Sequence, residues 1–232
     1  MAGEPSAPSP ATHSQTLNRG LRALEVLAAH PDGLTVSALA SALETHRAGV
    51  YRLLGPLIDH HLVVRDADGR HVLAAGLIEL AAAVKPRLRE VALPTLQILA
   101  DRLRATAALT IRDGDQAVVA AVVLPREPRM HIAYRVGMRH PLTQGSPGHV
   151  LLAAEPAQPS EPAAIATARE QGYAVSRGEL LPGATGVAAA IASPGHEPEA
   201  SVSAVWIEGI EVAEAAEAVI AAAAEISAAL RG

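Results

Sequence analysis

The stretch THRAGVYRLLGPLIDHHLVVRDADGRHVL, residues 45–73, decides the fold of the front of the chain. Val50, Leu53, Leu54 and Leu57 recur at helical spacing, which predicts an amphipathic helix. The segments 62–65 and 70–73 then flank Asp68-Gly69, a strong signal for a β-hairpin. A helix followed at once by a short hairpin is typical of the second half of a winged helix-turn-helix domain.

Two more helices are predicted upstream of this stretch. Leu17, Leu21, Leu24 and Leu27 recur at helical spacing up to a breaker cluster at residues 30–33, and a second helix follows Thr35, a suitable N-cap. Three short helices and a hairpin predict a winged helix-turn-helix domain over residues 14–75. Residues 1–13, rich in Pro, Ser and Ala, are expected to be a disordered tail.

The third helix and the hairpin carry the candidate DNA contacts. A recognition helix enters the major groove amino end first, so its first-turn side chains reach base edges, while arginines reach guanines or phosphates. The predicted DNA-binding residues lie in the first turn of the helix, on its flank, on its exposed face and in the wing. In that order they are Thr45, His46 and Arg47; Tyr51; Arg52; and Arg65 and Arg70. The alternative is a helical packing module whose exposed arginines are merely solvated.

Gly49, Gly55 and Pro56 all fall inside the predicted recognition helix. A proline in a helix interior costs roughly 3 kcal/mol and removes one backbone donor. We therefore expect the helix either to kink near residues 52–55 or to stop there and restart with Pro56 in its first turn.

The rest of the chain predicts a second domain. Residues 76–104 are predicted to be mostly helical, with breaks at Lys85-Pro86 and again at Leu93-Pro94. We expect a linker helix over residues 76–90, followed by the opening helix of the second domain. Residues 91–232 mix hairpin signals with helices, which indicates an α+β domain with a mixed or antiparallel sheet, and the chain as a whole is of mixed α/β class. The predicted elements are strands at 107–112, 116–124, 131–136, 173–176, 187–193 and 201–207, and helices at 146–154, 163–171 and 211–230.

Composition and charge restrict the functional class. Half of the 232 residues are hydrophobic, and no cysteine is present, which excludes a disulfide framework, a zinc ribbon and a thiol nucleophile. The net charge of −5 gives no support to nucleic-acid binding, so that hypothesis depends on where the arginines lie. No apolar run approaches the length of a membrane helix and no secretory pattern is visible, which predicts a cytoplasmic protein.

An enzyme is the main alternative class. The loop GELLPGAT, residues 178–185, superficially resembles a phosphate-binding loop, but Ala184 stands in place of the essential lysine. No histidine pair has the spacing of a helical metal site. We therefore predict no catalytic residue, no metal and no cofactor. Ser146 and Pro147 suggest instead an N-cap and a first-turn proline, whose free backbone N–H groups would hold a carboxylate, or else an ordinary capped helix without ligand.

The segment TLNRGLRALEVLAAHPDGLTVSALASALETHRAGVYRLLGPLIDHHLVVRDADGRHVL, residues 16–73, resembles the DNA-binding domain of IclR-type bacterial transcriptional regulators, named for the isocitrate lyase regulator. GMRHPLTQGSPGHVLLAA (137–154), QGYAVSRGELLPGATGVAAAI (171–191) and ASVSAVW (200–206) are similar to later segments of that family. The resemblance implies a homodimer or tetramer that binds a palindromic double-stranded DNA operator, most often as a repressor, and a second domain that binds a small-molecule effector. It places the effector-binding residues at Ser146, Pro147, Ser176, Gly186 and Ser203.

The chain departs from the family pattern at several of these positions. Val205 replaces the second of two alternating serines, Gly186 stands where some members have a larger polar or sulfur-bearing side chain, and His149 replaces a common lysine. These departures predict a pocket wider and less polar than one for a two-carbon acid. A regulator that dimerises without any ligand is the second alternative.

Overall fold

A computed structural model describes residues 14–127, 134–193 and 196–231. The chain forms two compact units, Met1–Val84 and Lys85–Gly232. The first contains a helix-turn-helix with a hairpin and the second an α+β arrangement, which confirms the predicted mixed α/β class. The predicted tail, residues 1–13, lies outside the described residues.

The first unit packs three helices and a hairpin around one small core. Side-chain caps start the first two helices, because Ser14 Oγ accepts from Leu17 N–H and Thr35 Oγ1 from Ala38 N–H. Leu27 and Val50 are fully buried in the core between the elements. The elements are α1 Gln15–Ala28, α2 Val36–Ala42, α3 Arg47–Asp59, β1 Val63–Arg65, β2 His71–Leu73 and α4 Gly76–Ala82, with β1 and β2 antiparallel.

Helix α3 is one continuous helix through Pro56, so the predicted stop and restart is wrong. The preceding residue, Gly55, has no Cβ to clash with the proline ring, which removes part of the usual penalty. The helix begins at Arg47 with His46 as the N-cap, so Thr45 and His46 precede the first turn instead of forming it.

The second unit contains a six-stranded sheet of order β5-β4-β3-β8-β7-β6, in which all neighbouring strands are antiparallel. Of the two predicted sheet types, the antiparallel one is therefore present. The elements are α5 Pro86–Leu103, β3 Thr106–Asp113, β4 Gln116–Val123, β5 Arg139–Pro141, α6 Gly145–Ala153, α7 Ala163–Gln171, β6 Ala174–Arg177, β7 Thr185–Ser193, β8 His196–Trp206 and α8 Val212–Arg231.

The two faces of this sheet differ in side-chain size. Leu109, Val187 and Val202 belong to the large core formed with α5 and α8. Because side chains alternate along a strand, the neighbours of these residues point to the other face, where they are small or hydroxylated, as Ala188 and Ser203 are. Ala188 packs there with apolar residues of α6 and α7. The small side chains leave room on this face for a cavity beside α6.

Two predictions about the second unit fail. Helix α5 continues through Pro94, so the break at Leu93-Pro94 is wrong, and burial of residues such as Leu96 and Leu99 offsets a penalty of about 3 kcal/mol. The chain between α4 and α5 does break, at residues 83–85. Of the strand predicted at 131–136, residues 131–133 lie outside the described part and residues 134–136 are not in a strand, whereas β5 lies further along.

Candidate functional site

Helix α3 and the wing form a shallow groove on the first unit. Arg47, Tyr51 and Arg65, three of the predicted DNA contacts, are exposed and line this groove together with Thr35 and Gly69. The Arg65 guanidinium lies over the turn at Gly69, where a Cβ atom would be 2.9 Å from Nη2. The structure therefore brings one residue of the wing beside the first turns of α3.

A second groove lies on the other flank of α3. Thr45 and Arg52 line it together with Thr16 and Arg19 of α1. Sequence reasoning missed Arg19, although its position in the exposed first turns of α1 was readable from the sequence. His46 is exposed at the N-cap and lies outside the described lining of both grooves.

Arg70 is held by the first unit itself. Its Nη1 donates to the Gly33 carbonyl at 3.2 Å, and its backbone N–H donates to Asp66 Oδ1 at 2.8 Å. These contacts tie the wing to the turn between α1 and α2. Arg70 therefore helps to position the wing, a role that differs from those of the groove-lining residues Arg47 and Arg65.

A small cavity in the second unit gathers four of the five predicted effector-binding residues. Ser146 and Pro147 of α6, Ser176 of β6 and Gly186 of β7 all line it. The register of the sheet brings the last two together, because Ser176 pairs directly with Gly186. Its volume is only about 20 Å³, enough for about one water molecule. Ser203 is buried on the same face of the sheet and lies outside the described lining.

The cavity is lined by hydroxyl groups at close quarters. Ser146 N–H donates to Ser176 Oγ at 2.9 Å. A Cβ atom at Gly186 would stand 3.0 Å from Ser146 Oγ and 3.2 Å from Ser176 Oγ, so a side chain there would crowd both hydroxyls. In the part of the chain that the structure describes, the buried Ser146 Oγ and Ser203 Oγ have no hydrogen-bond partner. Buried polar atoms are rarely left so, which makes this face a candidate ligand site.

The start of α6 differs from its prediction. The helix begins at Gly145 with Gln144 as the N-cap, so Ser146 is not the cap residue. Two backbone N–H groups at the start of the helix are engaged: Gly145 N–H donates to Glu179 Oε2 at 2.7 Å, and Ser146 N–H donates to the Ser176 hydroxyl. The helix starts two residues earlier than a cap at Ser146 would give, and the carboxylate of the distant Glu179 accepts its first backbone N–H.

Further residues line the cavity that the sequence did not indicate. They are Tyr134, Glu179, Leu180, Leu181 and Ala184, together with Val205, noted above only as a departure from the family pattern. Four of them belong to the loop between β6 and β7, whose sequence only superficially resembles a phosphate-binding loop. Burial raises the pKa of Tyr134, with the Thr110 hydroxyl acting in the opposite direction, so its phenol stays neutral.

Histidines surround the start of α6. Burial lowers the pKa of His140 on β5, so its imidazole is neutral at pH 7. His149 Nε2 lies 2.9 Å from the Thr143 carbonyl oxygen, which accepts a hydrogen bond in the tautomer that carries a proton on Nε2, and 3.6 Å from Glu179 Oε2. No group of three or more His, Asp or Glu side chains suited to a metal ion gathers within the described ranges.

A larger cavity of about 330 Å³ lies at the junction of α5, β3 and the β8–α8 turn. Its walls include Leu103 and Trp206, with Arg104 and Glu208 as its charged lining residues. None of the described lining residues carries a buried polar atom without a partner. We therefore assign the candidate ligand site to the smaller cavity. Of the described helices, none is long and apolar enough to span a membrane.

Comparison with known proteins gives the family. Residues 16–67 match the IclR helix-turn-helix domain, and residues 80–163 match the bacterial transcriptional regulator IclR C-terminal domain. The chain belongs to the IclR family. The curated relatives matched through these domains are transcriptional regulators.

Two curated IclR-family relatives illustrate the match. The HTH-type transcriptional regulator Rv1719 of Mycobacterium tuberculosis is 34% identical over 143 residues, 61% of this chain and 55% of that protein. The probable transcriptional regulator SauR of Cupriavidus necator is 34% identical over 139 residues, 58% of this chain and 54% of that protein. The chain spans about half the length of the curated relatives it matches.

Solved IclR-family structures share the fold along almost the whole chain. An IclR homologue from Microbacterium hydrocarbonoxydans, crystallised in complex with 4-hydroxybenzoate, is 25% identical with a TM-score of 0.80, covering 94% of this chain and 99% of that one. The IclR regulator of Alicyclobacillus acidocaldarius has a TM-score of 0.77 at 24% identity with the same coverage. The second likeness concerns the fold alone.

Proposed function

We propose that the protein is a cytoplasmic transcriptional repressor that binds a palindromic DNA operator and is gated by a small carboxylate-bearing effector. One observation carries the DNA-binding part of this proposal: Arg47, Tyr51 and Arg65 lie exposed in one groove of a domain that matches the IclR helix-turn-helix. The first turn of α3 would enter the major groove, and the wing would contact the neighbouring backbone.

The two grooves suggest different roles for their arginines. Arg47 begins α3, the end that reaches base edges in this class of motif, and is the candidate for guanine contacts. Arg52 and Arg19 line the second groove, on the other flank of α3, and are candidates for phosphate contacts. A base contact discriminates among sequences, whereas a phosphate contact weakens binding to all sequences alike when it is removed.

Exposed apolar side chains support a homodimer or tetramer. In α1, Leu17 and Leu21 are 63% and 52% exposed, against the expectation from their helical spacing, and Ile78 and Leu80 of α4 are also exposed. Large exposed apolar residues on neighbouring turns are costly unless a partner covers them. A second copy of the chain would cover them and would present the paired α3 helices that a palindrome requires.

The cavity beside α6 supports the effector part of the proposal. It presents the Ser146 hydroxyl, which has no hydrogen-bond partner among the described residues, next to Ser176 at the positive end of a helix, where a carboxylate is stabilised. The relative from Microbacterium hydrocarbonoxydans, solved with 4-hydroxybenzoate, makes a carboxylate a reasonable class to test first. A cavity of this size must widen to admit such a ligand, so binding would favour one arrangement of the second unit over another.

Selection of bound duplexes from a genomic fragment library, repeated at two salt concentrations, tests the proposal. We expect one palindromic site to survive the higher salt, because base contacts persist where phosphate contacts weaken. Binding that is sequence-blind and disappears at the higher salt would refute it. A reporter gene placed behind the selected site then distinguishes a repressor from an activator.

A dimeric DNA-binding regulator without effector is the second candidate, and the small cavity volume favours it. Leu180 and Leu181 line a cavity of only about 20 Å³, which leaves room for about one water molecule. A panel of metabolic carboxylates, screened by thermal shift against the wild type and Ser146→Ala, separates the candidates. An effector-gated protein shows a stabilising carboxylate whose effect Ser146→Ala diminishes, whereas a ligand-free protein shows none with either chain.

A further inference from the structure

The loop between β6 and β7, residues 178–184, folds over the cavity. Its ends are joined by a hydrogen bond from Gly178 N–H to the Ala184 carbonyl at 2.8 Å, and Ala184 N–H donates to the Leu181 carbonyl at 3.1 Å. Three consecutive residues of the loop, Glu179, Leu180 and Leu181, line the cavity. The loop is therefore a compact cap with its own internal hydrogen bonds, and three of its residues form part of the cavity wall.

Glu179 fastens this cap to the start of α6. Its Oε2 accepts the Gly145 N–H at 2.7 Å and lies 3.6 Å from His149 Nε2. A carboxylate in this position satisfies a backbone donor that the helix leaves open and complements the positive end of the helix dipole. The Glu179 side chain is 35% exposed, so this carboxylate lies at the edge of the buried region.

Leu180 closes the cavity next to this carboxylate. A Cβ atom at Gly145 would lie 2.6 Å from Leu180 Cδ1, and Gly145 has a φ of +76°, a backbone conformation that favours glycine. The glycine thus lets the cap approach the helix closely. Beside this contact Ser146 is fully buried, and its Oγ has no partner in the part of the chain that the structure describes, so a polar group remains unsatisfied.

We propose that Glu179 is an internal substitute for the effector's carboxylate: it occupies the anion site at the start of α6, and an incoming carboxylate binds there by displacing it and releasing the 178–184 loop. This inference rests on the proposed effector-gated function. It identifies the ligand group as a monocarboxylate that takes the Gly145 N–H, with a neighbouring polar atom that pairs with the Ser146 hydroxyl. An effector must therefore bind this site more favourably than Glu179 does in order to displace it.

Chemical rescue tests this proposal without knowledge of the effector. Glu179→Ala removes the internal carboxylate and leaves an anion site of the size of acetate. We expect 100 mM sodium acetate, compared with sodium chloride at equal ionic strength, to raise the melting temperature of Glu179→Ala by about 2–4 °C, the shift given by a ligand at about five times its Kd. The wild type and the matched control Glu170→Ala, which removes an exposed carboxylate from α7, should shift much less. Equal shifts in all three chains would overturn the proposal.

A second variant covers the case in which Glu179→Ala does not fold. Glu179→Gln keeps the length and an acceptor oxygen but removes the charge, so the cap should be held less tightly. Hydrogen exchange of peptides spanning residues 178–184 should be several-fold faster in Glu179→Gln than in Glu170→Ala. Unchanged protection of the loop would show that the carboxylate does not hold it and would overturn the proposal.

The two experiments separate this inference from the proposed function. A chain that selects one palindromic operator but shows neither acetate rescue nor faster loop exchange contradicts the role of Glu179 alone. A chain that shows rescue and faster exchange but binds DNA without sequence preference contradicts the regulator function alone.

Discussion

Gly148 offers a test of how α6 is held in place. It lies buried in the second turn of the helix, and a Cβ atom there would stand 2.4 Å from the Leu142 carbonyl oxygen and 2.8 Å from two further backbone atoms of that residue. Carbon and oxygen atoms in contact are separated by at least about 3.3 Å, so Gly148→Ala requires a backbone displacement of about 0.9 Å. No side-chain rotation relieves a clash with backbone.

The expected cost follows from two opposing terms. Overpacking costs about 1–3 kcal/mol, and the better helix propensity of alanine returns about 0.5–1 kcal/mol. The net loss is about 0–2.5 kcal/mol with a central value of about 1 kcal/mol. That central value corresponds to a decrease of about 2–4 °C in melting temperature for a unit of this size. Because α6 carries Ser146, the same displacement should alter the cavity.

Calorimetry of the full chain measures this prediction, with Gly20→Ala in α1 as the matched control. A Cβ atom at Gly20 meets nothing within 4 Å, so this variant gains helix propensity without a clash and should be stabilised by about 0.5–1 kcal/mol. The two substitutions are chemically identical, and the structure predicts opposite signs. A melting temperature for Gly148→Ala at or above the wild-type value would refute the reasoning.

Three further predictions concern other parts of the chain. Arg47→Ala should weaken operator binding by about 10–100-fold without changing the melting temperature. Arg70→Ala loses its hydrogen bond to the Gly33 carbonyl and should lower the melting temperature by about 2–4 °C. Mobility-shift titrations and melting curves in which both variants behave alike would contradict these two roles. Thr35→Ala should lower the free energy of unfolding in urea by about 0.5–2 kcal/mol because it removes the side-chain cap of α2. Thr35→Ser should keep most of the wild-type stability, and an equal loss in both variants would argue against capping. Burial lowers the pKa of His140 below its ordinary 6.5, so the unfolded chain binds the proton more readily than the folded chain. The stability contribution should therefore be complete above pH 6.5 and decrease below it. His140→Asn should reduce the decline of the urea midpoint between pH 7 and pH 5, and an unchanged decline would exclude His140 as its source.

Local signals predicted much of the first unit. The turn at Asp68-Gly69 and the caps at Ser14 and Thr35 act within a few residues, so their effects are readable from neighbouring letters. The stop and restart considered at Pro56 and the break expected at Pro94 are both wrong. At Pro94 the cost of a helical proline is local, but the burial that offsets it depends on tertiary packing, which propensity rules do not contain. At Pro56 the helix continues behind Gly55, a neighbour whose effect the general penalty for a helical proline leaves out.

The sequence by itself determined the order of helices and strands, the winged helix-turn-helix, and the residue types available to each site, because periodicity and turn chemistry are short-range properties. Only the tertiary structure decided which of those residues meet. Ser146 and Ser176 are thirty residues apart, and the pairing of β6 with β7 and the packing of α6 bring them to one cavity. The same packing brings Glu179 to the start of α6. There the carboxylate of a loop residue accepts the backbone N–H of Gly145, the first residue of a distant helix.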